Sequence, residues 1–333
     1  QTAEGALTEV HSMLQRMNEL AVQASNGPNS QTDRDAIQSE IEQLTTEIDR
    51  VAETTKFNET YLLKGDADGN TKNVYMKGHD AGLKGTLTDG ATTATFKVAA
   101  GALDAGKSVT IGGKEYTIGA TVDDGKKLLG TKYDGSVKAK VNGVEYTLVA
   151  DGNEDATTNK LAKTNMEKKI VAGATVEVNG KSLTIMDATA DGVDKSDSSV
   201  ITAAKAISLM NAELLSANNI GAADTAATMG TAPTYASADG ATFTINKGFA
   251  TVADKLNFNL HVGSDADMTN KINVNIETMS SSYLGIKGLN VSDDTGVAAT
   301  YAVDAIADAL QKVSDQRSSL GAVQNRLEHT IAN

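Results

Sequence analysis

Residues 302–333 read AVDAIADALQKVSDQRSSLGAVQNRLEHTIAN, and this stretch decides the fold. Its apolar side chains recur at alternating spacings of three and four, the pattern of a long helix that packs along other helices. They are Val303, Ile306, Leu310, Val313, Leu320, Leu327 and Ile331, with Arg317 and Gln324 at the two polar positions of the same stripe. No proline interrupts the pattern, so the predicted helix is roughly 45 Å long at 1.5 Å per residue.

The beginning of the chain carries two further stripes of this kind. The first contains Ala6, Val10, Met13, Met17, Leu20 and Ala24, and the second contains Ile37, Ile41, Leu44, Ile48 and Val51. Residues 26–29, Asn-Gly-Pro-Asn, separate them because Gly and Asn favour a helix C-terminus and Pro cannot continue the helix. Thr32 is the predicted N-cap of the second helix. Together the three helices predict an antiparallel rod built from both ends of the chain.

Composition narrows the possible functions. The chain of 333 residues has 43 acidic and 30 basic side chains, a formal net charge of −13, and no cysteine. This balance argues against nucleic-acid binding through a basic face, and the missing cysteines exclude disulfides and Cys-ligated metals. No apolar run reaches the roughly 18 residues of a membrane span, so membrane insertion is not predicted. The start at Gln1 without a signal peptide suggests a fragment.

The middle of the chain, residues 66–254, changes to an apolar period of two. One unit recurs at 109–118, 139–148 and 176–185, each time as strand, Gly-Gly or Asn-Gly, and strand. Asn-Gly between alternating apolar residues is typical of a two-residue β-hairpin turn with positive φ at both central positions. In the same region, the sequence patterns predict a strand at 95–98, helices at 159–172 and 198–217, and a loop at 221–241. Lysines at 114, 138, 140 and 181 would discourage edge-to-edge pairing of the strands.

Two alternating segments, 256–262 and 271–277, predict a β-hairpin beside the rod, with its turn at 263–270. The predicted fold class is therefore α+β. A long antiparallel helical rod is formed by both chain ends (1–65 and 255–333) plus this β-hairpin. An outer region of mixed β-hairpins and helices, comprising one or two small α+β domains, is inserted at 66–254.

Three motifs at the chain ends resemble bacterial flagellin. They are residues 15–23 (QRMNELAVQ) with 29–34 (NSQTDR), the segment 272–286, and residues 320–327 (LGAVQNRL). The resemblance implies a structural subunit of the extracellular flagellar filament, self-assembling for motility and exported without a cleaved signal. Its implied partners are other flagellin subunits and, for the full-length protein, an export chaperone and the filament cap. The family's terminal inner-core helices are absent, so we expect this piece to be monomeric.

The resemblance also implies a receptor, because flagellins are ligands of the animal Toll-like receptor 5. The family's receptor-binding Arg, Leu and Glu correspond to Arg16, Leu20 and Glu40, whereas a basic residue common in enterobacterial members is replaced by Asn18. Arg16 and Leu20 are i,i+4 neighbours on the first helix. The alternative interpretation is that Leu20 belongs to the rod seam and that Arg16 and Glu40 are solvated charges.

Signals of catalysis and of cofactor binding are weak. The four histidines, His11, His79, His261 and His329, do not form an H-E-x-x-H motif, and no nucleotide-binding or serine-hydrolase motif occurs. Residues 66–70 superficially resemble a calcium loop but lack its final Glu, since Lys77 stands there. We therefore predict no enzyme activity, no metal and no cofactor.

Three questions stay open at this point. Arg317 could pair with Glu47 or Asp49 and fix the helix register, or its stem could extend to solvent. The outer region could act as an adhesin, antigen or other surface-binding module. A protein of the hook–filament junction would share the rod plan, although residues 320–327 favour flagellin.

Overall fold

The computed structural model describes residues 1–221, 223–262, 271–293 and 295–332. Its helices fall into long ones at the chain ends and shorter ones between them. They are α1 (Thr2–Ser25), α2 (Gln31–Thr54), α3 (Val122–Leu129), α4 (Lys163–Glu167), α5 (Ala203–Asn218), α6 (Ser281–Leu284) and α7 (Val297–Ala332), with a single 3-10 turn at Ala156–Thr158. None of the helices in these ranges is long and apolar enough to cross a membrane.

The rod consists of α1, α2 and α7. Helix α1 packs mainly against α7 and α2. It runs antiparallel to α7, because its first turn borders the same groove as the last turns of α7, while Gly296 before α7 lies beside Ser25. With 36 residues, α7 spans about 54 Å. The predicted antiparallel rod of both chain ends is confirmed.

One hydrophobic core, the rod core, joins the three helices. Of the predicted seam residues, Val10, Met17, Ile37, Ile41, Ile48 and Val313 are buried in it, and Met13, Leu44, Leu310 and Leu320 pack against it while partly exposed. Leu7 and Leu14 are completely buried but were not assigned to the seam. The buried stripe of α1 is therefore wider than the predicted seam.

Helix α2 begins earlier than predicted. Its N-cap is Ser30, whose hydroxyl accepts a hydrogen bond from the backbone N–H of Asp33, while the Asp33 carboxylate accepts one from the backbone N–H of Ser30. This reciprocal capping box satisfies two donors of the first turn. The prediction of Thr32 as N-cap was wrong, because the capping box forms two residues earlier, between Ser30 and Asp33.

A second layer of the rod is the β-hairpin of β17 (Leu256–His261) and β18 (Lys271–Ile276), paired antiparallel from Leu256↔Ile276 to His261↔Lys271. The side chains of Leu256, Val274 and Ile276 join the rod core. The predicted turn at 263–270 lies outside the described residues. A smaller pair, β1 (Lys56–Phe57) and β2 (Thr60–Tyr61), follows α2.

The remaining strands lie in the outer region. They are β3 (Thr71–Tyr75), β4 (Thr86–Asp89), β5 (Thr93–Val98), β6 (Ser108–Ile111), β7 (Lys114–Ile118), β8 (Lys138–Val141), β9 (Val144–Leu148), β10 (Lys160–Leu161), β11 (Thr175–Val178), β12 (Lys181–Thr184), β13 (Val200–Ile201), β14 (Thr228–Met229), β15 (Ala241–Asn246) and β16 (Phe249–Ala253). Four sheets result, with strand orders β10-β9-β8-β11-β12, β13-β7-β6, β14-β15-β5-β4 and β16-β3.

The three repeated units are hairpins, as predicted: β6–β7, β8–β9 and β11–β12 are antiparallel pairs. The central turn residues all have positive φ, namely Gly112 (58°) and Gly113 (76°), Asn142 (49°) and Gly143 (82°), and Asn179 (51°) and Gly180 (78°). This is the backbone of a type I′ turn. The second and third hairpins share one sheet, whereas the first belongs to another.

Two separate hydrophobic cores fill the outer region. The first outer core contains Phe96, Phe243 and Met210 together with Tyr301 of α7, and therefore packs on the rod. The second outer core contains Leu148, Met166 and residues from 105 to 185 only.

Some outer elements differ from the predictions. The helix predicted at 159–172 is reduced to α4, preceded by β10. Helix α5 begins five residues later than the predicted start at 198, and α3 was not predicted. The loop predicted at 221–241 contains the short strand β14.

Candidate functional surfaces of the rod

Arg16 and Glu40, two of the three predicted receptor-binding residues, lie together on the rod surface. Arg16 Nε donates to Glu40 Oε1 at 2.9 Å, which joins α1 to α2, and Arg16 Nη1 lies 3.3 Å from Glu19 Oε2. The side chains of Arg16 and Glu40 are 49% and 43% exposed. Hydrogen bonding to Glu40, and then to Glu19, raises the pKa of the Arg16 guanidinium, which stays fully charged.

Leu20, the third predicted receptor-binding residue, has a different environment. It is 2% exposed and belongs to the rod core with Met17 and Ala24. In this structure its side chain stabilises helix packing and is not part of the rod surface. Leu20 therefore occupies a position in the rod seam, as in the alternative interpretation given above.

An apolar groove of about 510 Å³ lies where the first turn of α1 meets the end of α7 and the two rod hairpins. Its apolar lining includes Leu62, Phe258, Leu260, Val274, Leu320, Val323 and Leu327. At its edges Phe57 is 58% exposed and Ile331 is 78% exposed. Leu327, predicted as a seam residue, thus lines an open groove.

Arg317 does not pair with either predicted carboxylate. Asp49 accepts hydrogen bonds from the backbone N–H of Ser281 at 2.7 Å and from the Ser281 hydroxyl at 2.8 Å. Glu47 instead forms a salt bridge with Arg50 on the same helix. Within the described residues no ion pair involves Arg317, so the proposed register-fixing pair is wrong.

The neighbouring Gln316 holds the β-hairpin on α7. Its side chain is 7% exposed, accepts from the backbone N–H of Glu277 at 2.9 Å and donates to the carbonyl of Asn275 at 3.1 Å. No local sequence pattern indicates this role, because Gln316 falls outside the a/d positions and its partners are about 40 residues away in sequence.

The signals of metal binding have simple structural explanations. The Asp66 carboxylate accepts hydrogen bonds from the backbone N–H groups of Asp68 and Asn70, the arrangement of a turn. Across the described ranges, no group of three or more His, Asp and Glu side chains is arranged to hold a metal ion.

Helices from both ends of the chain share one core, a β-hairpin packs beside them, and the outer region is inserted between them. This architecture defines the class of protein. The family profile "Bacterial flagellin N-terminal helical region" matches residues 1–68, and "Bacterial flagellin C-terminal helical region" matches 303–333. The flagellin of Clostridium tyrobutyricum is 31% identical over 338 residues, covering 100% of this chain and 68% of that protein. The chain belongs to the flagellin family.

Other relatives match over smaller parts. The flagellin of Escherichia coli O127:H6 is 33% identical over 286 residues, which is 74% of this chain and 51% of that protein. This chain therefore spans about half the length of that relative. A solved structure of FliC from Burkholderia pseudomallei aligns over 98% of this chain with 22% identity and a TM-score of 0.36.

Proposed function

We propose that this protein is a structural subunit of the extracellular bacterial flagellar filament, where it assembles with other copies for motility. The observation that carries the proposal is the apolar groove between the first turn of α1 and the last turns of α7, in a member of the flagellin family. Exposed Phe57 and Ile331 at its edges present apolar surface that a second copy can cover. A heterologous contact, in which the groove of one copy binds a different surface of the next copy, propagates into an open helical assembly.

Introducing a negative charge in the groove tests this role in the full-length flagellin gene. We expect Leu327→Asp and Ile331→Asp to abolish filaments, because burying an unpaired carboxylate in an apolar contact is strongly unfavourable. Sedimentation and electron microscopy measure the outcome. Val144→Asp is the matched control, since Val144 is also 44% exposed but lies in the outer region. Normal filaments from both groove variants would contradict the proposal.

The isolated chain of 333 residues gives a second measurement. We expect a monomer at micromolar concentration by size-exclusion chromatography with light scattering, because one apolar groove is small beside the roughly 1,200–2,000 Å² that a stable interface buries. Reversible filaments of the isolated chain would overturn this expectation.

We further propose that the Arg16–Glu40 pair contacts Toll-like receptor 5. The supporting observation is that both side chains are about half exposed and held side by side across α1 and α2. Arginine is a frequent anchor of protein interfaces. Buried Leu20 would act indirectly, by fixing the helix turn that carries Arg16. The full-length protein would also bind an export chaperone and the filament cap.

Binding of the isolated chain to the receptor ectodomain tests this assignment. We expect Arg16→Ala to weaken affinity by roughly tenfold or more, the range of an interface anchor. Arg50→Ala is the control, because Arg50 is likewise exposed and paired with a glutamate but lies near the other end of α2. Equal affinities of wild type and Arg16→Ala would show that Arg16 is not a contact.

A further inference from the structure

Lys312 of α7 is a partly buried lysine at the junction between the rod and the outer region. Its Nζ donates a hydrogen bond to the carbonyl of Tyr283 at 2.6 Å and lies 4.7 Å from the centroid of the Tyr283 ring. Within the described ranges no carboxylate forms an ion pair with it. Lys72, which contacts the same ring at 5.9 Å, instead pairs with Glu277 at 2.5 Å.

Burial favours the neutral form of this amine. Desolvation lowers the pKa of Lys312 to about 8, although the nearby carboxylates of Asp308 and Glu277 act in the opposite direction and Lys72 adds to the lowering. Lys77 and His79, from the segment after β3, face the same space beside Asp308. At pH 7 the neutral fraction would exceed that of an ordinary lysine by on the order of a hundredfold.

Lys312 borders a cavity of about 290 Å³. Asp308 lies one helical turn before it, so both residues face the cavity, and the Asp308 carboxylate is 3.0 Å from His79 Nε2. Met76, Leu284 and Ala305 supply apolar walls. The volume is at the lower end for ligand pockets and admits a small molecule rather than a peptide. An amine of lowered pKa and an apolar wall thus share one small space.

We propose that the Lys312 amine captures a small aldehyde as a reversible imine in this cavity. The neutral nitrogen attacks the carbonyl carbon, a C–N bond forms, and one proton moves from nitrogen to oxygen to give a carbinolamine. The C–O bond then breaks, the second N–H proton leaves with the hydroxyl as water, and the imine remains. No oxidant or reductant takes part, and water reverses the reaction.

Competitive labelling of the folded chain tests the proposal. Propanal is added at low concentration with cyanoborohydride, which reduces each imine to a stable amine, and mass spectrometry of Asp-N peptides, which separate Lys287 from Lys312, gives the rate at each of the two lysines. At pH 7 we expect Lys312 to react at least tenfold faster than Lys287, an exposed lysine close to α6. Between pH 7 and 9 the Lys312 rate should level off, while the rate at Lys287 continues to rise.

Two variants separate capture from a purely structural role. Ala305→Leu fills the cavity without altering the amine, and we expect it to slow labelling of Lys312 at least fivefold while Lys287 is unaffected. Asp308→Asn removes a carboxylate that favours the ammonium form, and we expect it to accelerate labelling at pH 7. Circular dichroism confirms the fold of each variant. Lys312 labelling that is no faster than Lys287, or that is unchanged by Ala305→Leu, would overturn the proposal.

Discussion

The rod and the outer region solve the problem of burying apolar side chains in opposite ways. The rod has one core, to which residues near both ends of the chain contribute, from Leu7 to Val313. The second outer core uses only residues between 105 and 185. The rod therefore cannot form until distant segments meet, whereas the second outer core closes locally. We infer that the two regions unfold as separate units, connected through the contacts of the first outer core with α7.

The largest effects are expected from cavities in each unit. Leu14 in the rod and Leu148 in the second outer core are both 0% exposed. We expect Leu14→Ala and Leu148→Ala each to lower the free energy of unfolding of its own unit by about 2–5 kcal/mol. Hydrogen exchange read by mass spectrometry resolves the two units.

Exposed valines supply the controls for this comparison. Val22→Ala in α1 and Val144→Ala in β9 change side chains that are 40% and 44% exposed, and should leave exchange nearly unchanged. If Leu14→Ala and Leu148→Ala accelerated exchange equally in both units, the chain would be one cooperative body.

The contact between the two regions should carry the next largest effect. The Tyr301 hydroxyl of α7 donates to the Glu213 carboxylate of α5 at 2.5 Å. Tyr301→Phe leaves that carboxylate without its donor, and we expect a loss of about 1–2 kcal/mol in urea unfolding at pH 7. Tyr61→Phe, on an exposed tyrosine, should change little.

The same variant has a pH signature. Burial, and then Glu213, raise the pKa of Tyr301 above its ordinary value of 10.0, so the folded state retains this proton while the unfolded state loses it. The stabilisation is fully present below pH 10 and declines as pH rises further. Tyr301→Phe should therefore lose less stability between pH 9 and 11 than the wild type. If the wild type and Tyr301→Phe lost equal stability between pH 9 and 11, the Tyr301 hydroxyl would not link the two regions.

Each region also begins a helix with the same capping box, which permits a matched test of smaller size. Ser30 and Asp33 cap α2 of the rod, and Thr121 and Asp124 cap α3 of the outer region. Ser30→Ala and Thr121→Ala should each cost about 1 kcal/mol in its own unit. Ser39→Ala, inside α2, is the control and should cost nothing, since alanine favours a helix interior.

The loss of stability at acid pH gives a second test of the capping box of α2. Hydrogen bonds from the Ser30 side chain and backbone lower the pKa of Asp33. The resulting stabilisation is present above the ordinary aspartate value of 3.8 and is lost as pH falls below it. Ser30→Ala should therefore reduce the acid sensitivity of α2. If Ser30→Ala left the acid sensitivity of α2 unchanged, the Ser30 cap would not be coupled to protonation of Asp33.

The comparison also explains what the sequence could and could not predict. The rod helices and the three hairpins follow from local rules, since periodicity and turn residues are visible in one stretch. Strand β15 pairs with β5, which is distant in sequence, and Phe243 lies opposite Phe96. No local sequence pattern predicts that β5 is the partner. Burial of Leu20 and the Arg16–Glu40 contact depend on how α1, α2 and α7 are oriented about one another. That orientation is a property of the packed rod.

The smallest and most specific effect concerns the one hairpin that has Gly-Gly instead of Asn-Gly. Asn142 and Asn179 have φ of 49° and 51°, close to the 58° of Gly112, so the backbone at 112 would accept asparagine. A Cβ there, however, would lie 2.8 Å from Glu213 Oε1 and displace the carboxylate from Tyr301. We expect Gly112→Asn to cost about 0.5 kcal/mol, because the reduced freedom of the unfolded chain offsets part of the strain.

A double-mutant cycle isolates this cause. In the Tyr301→Phe background the carboxylate is free to move, so Gly112→Asn should become neutral or slightly stabilising. Asn179→Gly is the reciprocal control, because within the described residues the Asn179 side chain makes no hydrogen bond, and its effect should be independent of Tyr301. If Gly112→Asn lowered the free energy of unfolding equally in both backgrounds, the glycine would reflect local turn geometry alone. The first hairpin would then play no part in the contact between the outer region and the rod.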